Sequence, residues 1–301
     1  MSLSPRVSFL GANTAAQLRL RDAYGRLDRA NQQVSTTKLY SRPSDDASAS
    51  SRAALLQDQL DQMNTFDRGI EDARSRLSVA DTKAGQAMDI YHRITELATE
   101  AASSLNSGSS RQSIREEVLS LQSELVGVAN SKYLGNPVFA GLGASNAVAF
   151  NAGTSTWTFS GTPADRLTRR VAPGETVDAS VTASELFSNG TTDIFTVLDG
   201  LATSLANNDT PGIQASLDQV ASLQSTLSAA QARIGTSVNR VEDASTRNSA
   251  VKLSLTDELS SVQNVDLSVA VTDQNRLSVA YQAALGVTAK ASQQTLLDWL
   301  R

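Results

Sequence analysis

Apolar residues recur at helical spacing near both ends of the chain. In each segment the repeat steps by alternating threes and fours, an interval that places side chains on one helix face, as in the seam of a coiled coil. The repeating positions are Leu20, Tyr24, Leu27, Asn31 and Val34 near the start, and Leu277, Tyr281, Ala284, Thr288, Ala291 and Thr295 near the end. Because each stripe requires a partner helix, we predict that both ends are interaction elements.

The spacing of proline predicts long helices between these ends. Pro5 and Pro43 bracket the first helical segment, no proline lies between Pro43 and Pro137, and none follows Pro211. Since a proline inside a helix costs about 3 kcal/mol, proline-free stretches favour long helices. One apolar face with a single polar position comprises Leu56, Leu60, Met63, Asp67, Ile70, Ala73, Leu77, Ala80, Ala84, Ala87, Tyr91, Ile94, Ala98, Ala101 and Leu105.

Two further helices are predicted to pack beside this one. The first runs from Ile114 to Val128 and folds back as a hairpin, with Glu116 and Glu117 near its start, where carboxylates complement the helix dipole. The second is a long returning stripe from Val220 to Val262, which is expected to pair with the helix that carries Leu56.

The middle of the chain has the composition of strands and turns. Glycines punctuate residues 135–190, and alternation in Ala147–Phe150 and Thr156–Phe159 fits short strands with one buried face. Asn189–Gly190 is predicted to form a tight turn. We therefore predict a small β-rich insertion.

These patterns predict a mainly α fold: an elongated antiparallel helical coiled-coil rod formed by both chain ends, with a small β-rich domain inserted in the middle. We divide the chain into an N-terminal assembly helix (1–40), the first part of the rod (41–135), a β-rich variable domain (136–192), the returning part of the rod (193–262) and a C-terminal assembly helix (263–301).

Charge and composition exclude several classes of function. The net charge of -5 and the pI near 5.0 argue against a nucleic-acid partner, because neutralising phosphates needs a basic surface. The sequence has no cysteine, so thiolate metal sites and a cysteine nucleophile are absent. No apolar run of about 18 residues could span a membrane. Residues 1–7 lack the pattern of a cleaved secretory signal, so we expect a soluble protein or export without cleavage.

Candidate catalytic groups are sparse. His92 is the only histidine, and we predict that it is a surface residue paired with Glu96 one turn onward. The sequence has neither a second histidine nor the spaced acidic residues of a calcium loop, so no metal site is indicated. Residues 141–146 begin like a dinucleotide loop but lack its third glycine and its strand-to-helix context. We expect neither cofactor nor metal, and no enzymatic activity.

One polar cluster and one apolar cluster each have a structural interpretation. Pro43, Ser44, Asp45 and Asp46 form a predicted helix-start turn, in which the carboxylates cap the helix and are not an acid/base pair. Near the end of the sequence, an apolar cluster would be costly to expose, so we expect it to be buried in an assembly or against a chaperone. Its members are Leu296, Leu297, Trp299 and Leu300.

The order of several motifs resembles the flagellin superfamily, and within it the branch of the hook-filament junction protein (hook-associated protein 3). The resemblance covers about two-thirds of the chain, 1–141 and 216–301, and leaves out the β-rich middle. The segments that carry it are Ser41–Ala47, Leu77–Ala80, Ile94–Ala98, Ala129–Gly141, Ala232–Gly235 and Leu296–Arg301.

The resemblance implies a structural role at the junction between hook and filament, with filament-forming flagellin as the alternative. It implies export through the flagellar type III apparatus without a cleaved signal, and assembly outside the cell. The implied partners are further copies of the chain, the hook-side junction protein, flagellin and a cytosolic export chaperone.

Two other classes fit the residue pattern alone. A cytosolic coiled-coil scaffold would carry the same helical stripes. A stalked ligand-binding protein or enzyme would use the β-rich segment as its ligand domain, with Trp157 and Phe159 lining a pocket. We favour the interpretation that these aromatics form the core of a small sheet.

Overall fold

A computed structural model describes the backbone of residues 5–103, 108–143 and 146–299, and the side chains of 14–103, 108–143 and 146–290. The helices of this part are α1 (Pro5–Thr36), α2 (Ala47–Ala102), α3 (Gly108–Ala129), α4 (Ala183–Phe187), α5 (Ile194–Ala206), α6 (Thr210–Gln263) and α7 (Leu267–Trp299). The strands are β1 (Lys132–Tyr133), β2 (Asn136–Pro137), β3 (Val148–Asn151), β4 (Thr156–Phe159), β5 (Thr168–Ala172) and β6 (Glu175–Asp178). The predicted mainly α fold with a strand-containing middle is confirmed.

The chain forms two compact units. The terminal unit comprises Met1–Asp61 and Lys252–Arg301, and the central unit comprises Gln62–Val251. Helices α2 and α6 each contribute residues to both units. The predicted division after residue 262 lies next to the break between α6 and α7, whereas the two units divide α2 and α6 within their lengths.

In the central unit, α2 packs against α6 through the predicted apolar stripes. Every stripe position of α2 from Ala73 to Ala101 is buried, and most of these residues are alanines, which let two helices approach closely. The opposing face of α6 is buried at Val220, Leu223, Leu227, Ala230, Ile234, Val241 and Ala244. Asp67 of α2 contacts Asn248 of α6, whereas His92, further along α2, contacts Gln224, which comes earlier in α6. The two helices are therefore antiparallel.

The one polar position in the α2 stripe has a partner on α6. Asn248 is only 5% exposed, and its Nδ2 donates hydrogen bonds to the backbone oxygen of Met63, at 3.1 Å, and to a carboxylate oxygen of Asp67. An apolar partner could slide along this seam, but a hydrogen-bonded pair satisfies its polar atoms in one alignment only. Asp67 and Asn248 therefore fix the register of the two helices.

Helix α3 folds back on α2, as predicted. Arg93 of α2 pairs with Glu117 of α3 at 2.7 Å. The predicted role of Glu116 and Glu117 at the helix start is wrong, because α3 begins at Gly108 and both residues lie beyond its second turn. Glu117 contributes to the helix pair instead, through its contact with Arg93.

The β-rich segment consists of three two-stranded antiparallel pairs, β1–β2, β3–β4 and β5–β6. The β3–β4 hairpin is held to α5 by an aromatic cluster around Phe195, whose ring centroid lies 4.9 Å from that of Trp157 and 6.2 Å from that of Phe159. The Trp157 Nε1 also donates to a carboxylate oxygen of Asp199 at 2.8 Å. Trp157 and Phe159 are half-buried and pack against the core at α5.

Candidate assembly interface

The two helices at the chain ends pack against each other in the terminal unit. The rings of Tyr24 on α1 and Tyr281 on α7 lie 5.7 Å apart, and Gln274 donates from Nε2 to Oδ1 of Asn31 at 3.1 Å. Because Tyr24 faces Tyr281 and Asn31 faces Gln274, the helices run antiparallel. The stripes predicted from the sequence therefore meet each other.

The predicted interface residues are incompletely covered by this pairing. Leu20, Leu27, Val34, Leu277, Tyr281 and Ala284 are half-buried, and Tyr24 is 56% exposed. A closed two-helix seam cannot bury a residue on all sides, so further apolar contacts remain available. The predicted positions Leu296, Leu297, Trp299 and Leu300 lie outside the residues whose side chains are described.

Backbone hydrogen bonds join the segment after α1 to the break between α6 and α7. The N–H of Leu39 donates to the Gln263 oxygen at 2.7 Å, and the N–H of Val265 donates to the Thr37 oxygen at 3.0 Å. Lys38 and Asn264 form an isolated antiparallel bridge. Two connections distant in sequence thus share one short ladder, which ties the ends of α1 and α6 together.

The turn that contains Pro43, Ser44, Asp45 and Asp46 precedes α2. One carboxylate oxygen of Asp46 accepts the N–H of Ala49 at 2.9 Å, the geometry of a helix cap. A carboxylate oxygen of Asp45 accepts the N–H of Arg42 at 3.0 Å and closes the turn. Both carboxylates are therefore engaged by backbone donors of their own segment.

Replacing Asp46 with Ala is expected to lower the free energy of unfolding by about 0.5–2 kcal/mol, because the N–H of Ala49 loses its acceptor at the start of α2. Urea denaturation followed by circular dichroism measures the change. Asp58→Ala, at an exposed position of the same helix, is the control and should have a smaller effect. Equal losses in the two variants would contradict the capping role.

Exposed apolar side chains are concentrated in the terminal unit. Of the fifteen large apolar residues that are exposed among those described, eleven belong to this unit. They are Leu18, Tyr24, Leu39, Leu55, Leu253, Leu267, Val269, Val271, Val279, Leu285 and Val287. Single exposed apolar residues are ordinary, but such a concentration in one unit makes this surface the candidate assembly interface.

The exposed residues of α7 occupy more than one side of the helix. Leu267 and Leu285 are separated by 18 residues, about five turns, and so share one face; Val269 and Val287 share a second face by the same spacing. These two faces lie roughly 160° apart, because two residues advance a helix by about 200°. Both faces of α7 are therefore partly exposed in the folded chain.

The side chains considered as candidate catalytic groups make contacts within the helical core of the protein or on its surface. His92 lies beside Gln224 of α6, whose Nε2 is 3.2 Å from its Nδ1, while Glu96 pairs with Arg93. The predicted His92–Glu96 pair is therefore wrong, since each residue finds a closer partner. Among the described residues, no cluster of three or more His, Cys, Asp or Glu side chains could hold a metal ion. Within the same residues, no helix has the length and hydropathy needed to cross a membrane.

A cleft of about 820 Å³ lies in the central unit between α4 and α6. Sequence reasoning missed it, because its walls come from segments far apart in the chain. The carboxylate of Glu185, whose side chain is 6% exposed, pairs here with Arg166 and with Arg233, the latter at 2.9 Å. Thr182 adds hydrogen bonds to the same carboxylate from its N–H and its hydroxyl. Arg166 also pairs with Asp178 at 3.3 Å, so two carboxylates balance the two arginines.

The environment of Glu185 lowers its pKa below the ordinary value of 4.5. Burial raises the pKa, but hydrogen bonds from Arg166 and Thr182 lower it by more. A carboxyl group whose pKa is lower in the folded state stabilises the fold above pH 4.5 and loses that contribution as the pH falls through the folded value.

The Glu185→Gln variant is therefore expected to be less stable than the wild type by about 1–3 kcal/mol near pH 7, and the difference should shrink as the pH falls below 4.5. Urea denaturation of both proteins across this range measures the difference. Comparing the two proteins at each pH removes the contribution of the other carboxylates. A difference that stays constant with pH would contradict the role assigned to the carboxylate.

Comparisons with known proteins match the helical parts of the chain. The family model of the bacterial flagellin N-terminal helical region matches residues 7–143, and that of the bacterial flagellin C-terminal helical region matches residues 217–300. Together the two matches include nearly all of α1, all of α2, α3 and α7, and most of α6. A search of curated protein sequences found no match.

Several solved structures share the fold. A presumed flagellar hook-associated protein from Vibrio parahaemolyticus aligns with a TM-score of 0.68 at 19% identity, over 73% of this chain and 100% of that one. Flagellar hook associated protein-3 from Legionella pneumophila aligns with a TM-score of 0.62 at 13% identity, over 69% of this chain and 99% of that one. FlgL from Xanthomonas campestris aligns with a TM-score of 0.61 at 16% identity, over 68% of this chain and 99% of that one.

Proposed function

Because the chain belongs to the bacterial flagellin family, we propose that it is a structural component of the bacterial flagellum, an adaptor at the junction between hook and filament. The solved structures that share its fold include proteins described as hook-associated proteins and as FlgL, which favours the junction over the filament itself.

The observation that carries the proposal is the concentration of exposed apolar side chains in the terminal unit. An adaptor must bind neighbours through its helical ends, and α7 has apolar faces that α1 leaves uncovered. Contacts between different surfaces of successive subunits generate an open helical array, whereas one self-complementary patch generates a closed dimer. Faces roughly 160° apart on one helix are suited to the first arrangement.

The partners and the route of export follow from this role. We propose that neighbouring copies, the hook-side junction protein and flagellin cover the faces of α1 and α7. Before export, a cytosolic chaperone covers the C-terminal helix, because its apolar residues would otherwise drive aggregation. The chain is then secreted through the flagellar export apparatus without a cleaved signal and folds at the assembly site. No cofactor is needed for any of these steps.

Localisation on isolated flagella tests the proposal. The full chain is tagged at Leu142, an exposed position of the central unit, and detected by immunogold electron microscopy. A junction protein gives label at the hook end of the filament only, and deletion of its gene leaves hooks without filaments while flagellin appears in the medium. Label along the whole filament would identify the chain as flagellin, and label confined to the cytosol would identify a scaffold. Either outcome contradicts the junction role.

A further inference from the structure

The turn between α4 and α5 contains the only Asn-Gly sequence in the chain, Asn189–Gly190. Both residues are exposed, and Gly190 has a φ of 86°, with no atom within 4 Å of the position that a Cβ would occupy. An asparagine followed by glycine is open to attack on its side-chain amide by the next backbone nitrogen. The hydrogen bonds around this turn bear on each group that such a reaction requires.

The amide oxygen of Asn189 is held by two backbone donors. Its Oδ1 accepts the N–H of Thr191 and the N–H of Thr192, each at 3.0 Å. When a nucleophile adds to Cγ, negative charge develops on this oxygen, and two fixed N–H groups stabilise that charge as an oxyanion hole does. The electrophilic carbon is therefore polarised in the folded turn.

The attacking atom is the backbone nitrogen of Gly190. Its N–H donates to Oγ of Ser188 at 3.1 Å, and the Ser188 hydroxyl donates in turn to the backbone oxygen of Thr192 at 3.0 Å. This second bond turns an oxygen lone pair of Ser188 toward the N–H of Gly190. Because Gly190 has no side chain, its nitrogen can move toward Cγ without a steric clash.

The leaving group also has a partner. Nδ2 of Asn189 lies 3.3 Å from Oγ of Ser222 on α6. A hydroxyl both accepts and donates hydrogen bonds, so it can accept from the amide in the ground state and donate to the amine as that amine departs. Thus the nucleophile, the carbonyl oxygen and the leaving nitrogen each contact a group suited to its role.

We infer that the folded chain promotes its own deamidation at Asn189. The bond between the Gly190 nitrogen and Cγ of Asn189 forms, the Cγ–Nδ2 bond breaks, and the hydrogen of the Gly190 nitrogen leaves with Nδ2 as ammonia. Water then opens the resulting five-membered imide at either carbonyl, which gives aspartate or isoaspartate at residue 189. The product carries a new negative charge at the rim of the cleft and no longer donates to Ser222.

The test compares the folded full-length chain with the same chain unfolded in urea, both incubated at pH 8. Mass spectrometry of the tryptic peptide 171–233 follows conversion of amide to acid, and Asn207 and Asn208 in the same peptide serve as internal references. We expect residue 189 to react about tenfold faster in the folded chain, a modest effect for an oxyanion hole. The Asn189→Gln variant should lose the signal and so locate it.

Two serine variants distinguish the leaving-group contact from a general effect of the fold. Ser222→Ala should slow the reaction in the folded chain by about fivefold, the effect of one hydrogen bond, and leave the rate in urea unchanged. Ser225→Ala, one turn along the same cleft wall, should react as the wild type does. The inference is overturned if the folded chain reacts no faster than the unfolded chain, or if Ser222→Ala reacts at the wild-type rate.

Discussion

Replacing Val269 and Val287, which share one face of α7, with Asp is expected to abolish incorporation of the chain into the flagellum while the free protein stays folded. The two residues are 57% and 69% exposed, so the substitutions should change the stability of the free chain by no more than about 0.5 kcal/mol each. In the assembly each aspartate would place an unpaired charge in an apolar contact, at a cost of several kcal/mol.

A matched control separates this effect from a general loss of solubility or folding. A double variant, Leu134→Asp with Leu142→Asp, introduces the same two charges at positions 80% and 66% exposed in the central unit. This control should still be incorporated into flagella, whereas the α7 variant accumulates as monomer. Circular dichroism checks that both variants stay folded. If the α7 variant assembles normally, the apolar faces of α7 are not the assembly interface.

Sequence periodicity was sufficient for the helices because it is a local signal. The stripe from Ala73 to Ala101 identifies the buried face of α2 directly, since a helix places residues three and four apart on one side. The stripes also predict that α1 pairs with α7. They do not give the register of that pair, which depends on which side chains meet across the seam, such as Tyr24 with Tyr281.

Errors arose where a polar side chain had a choice of partners. The sequence neighbours of His92 and Glu117 favour an intrahelical pair and a helix-dipole role, respectively. Their observed contacts, Gln224 and Arg93, come from other helices, and no spacing rule encodes them. The same holds for Asp67, the one polar position in the apolar stripe of α2. Its role is explained by its hydrogen bond with Asn248, which lies 181 residues away in the sequence.

The cleft and the Asn189 turn were beyond sequence reasoning for a related reason. Asn189–Gly190 was predicted as a tight turn, and the structure places it between α4 and α5. Its chemistry depends on Ser222, which α6 brings within hydrogen-bond distance from 33 residues away. Turn propensity describes the backbone of four residues and is silent on the groups that surround them.

Replacing Phe195 with Ala is expected to have the largest effect on the stability of the central unit. Phe195 is fully buried, and its ring contacts those of Trp157, Phe159 and Phe187. Truncating a buried phenylalanine costs about 3–5 kcal/mol, because both the transfer energy and the packing around the cavity are lost. The β3–β4 hairpin should then detach from α5, since the Trp157 ring no longer has the Phe195 ring to pack on.

Phe150→Ala is the matched control, because Phe150 contacts Trp157 at 5.0 Å from the open side of the hairpin and is 50% exposed. Its removal should cost about 1 kcal/mol. Urea denaturation gives the two free energies of unfolding.

Fluorescence at Trp157 reports the hairpin, provided that Trp299 is replaced with Phe in every variant, because these are the only two tryptophans. For Phe195→Ala we expect a red shift of Trp157 emission before the loss of helical circular dichroism. Similar losses of stability in the two variants, or a single transition in both signals for Phe195→Ala, would show that the aromatic cluster does not hold the hairpin.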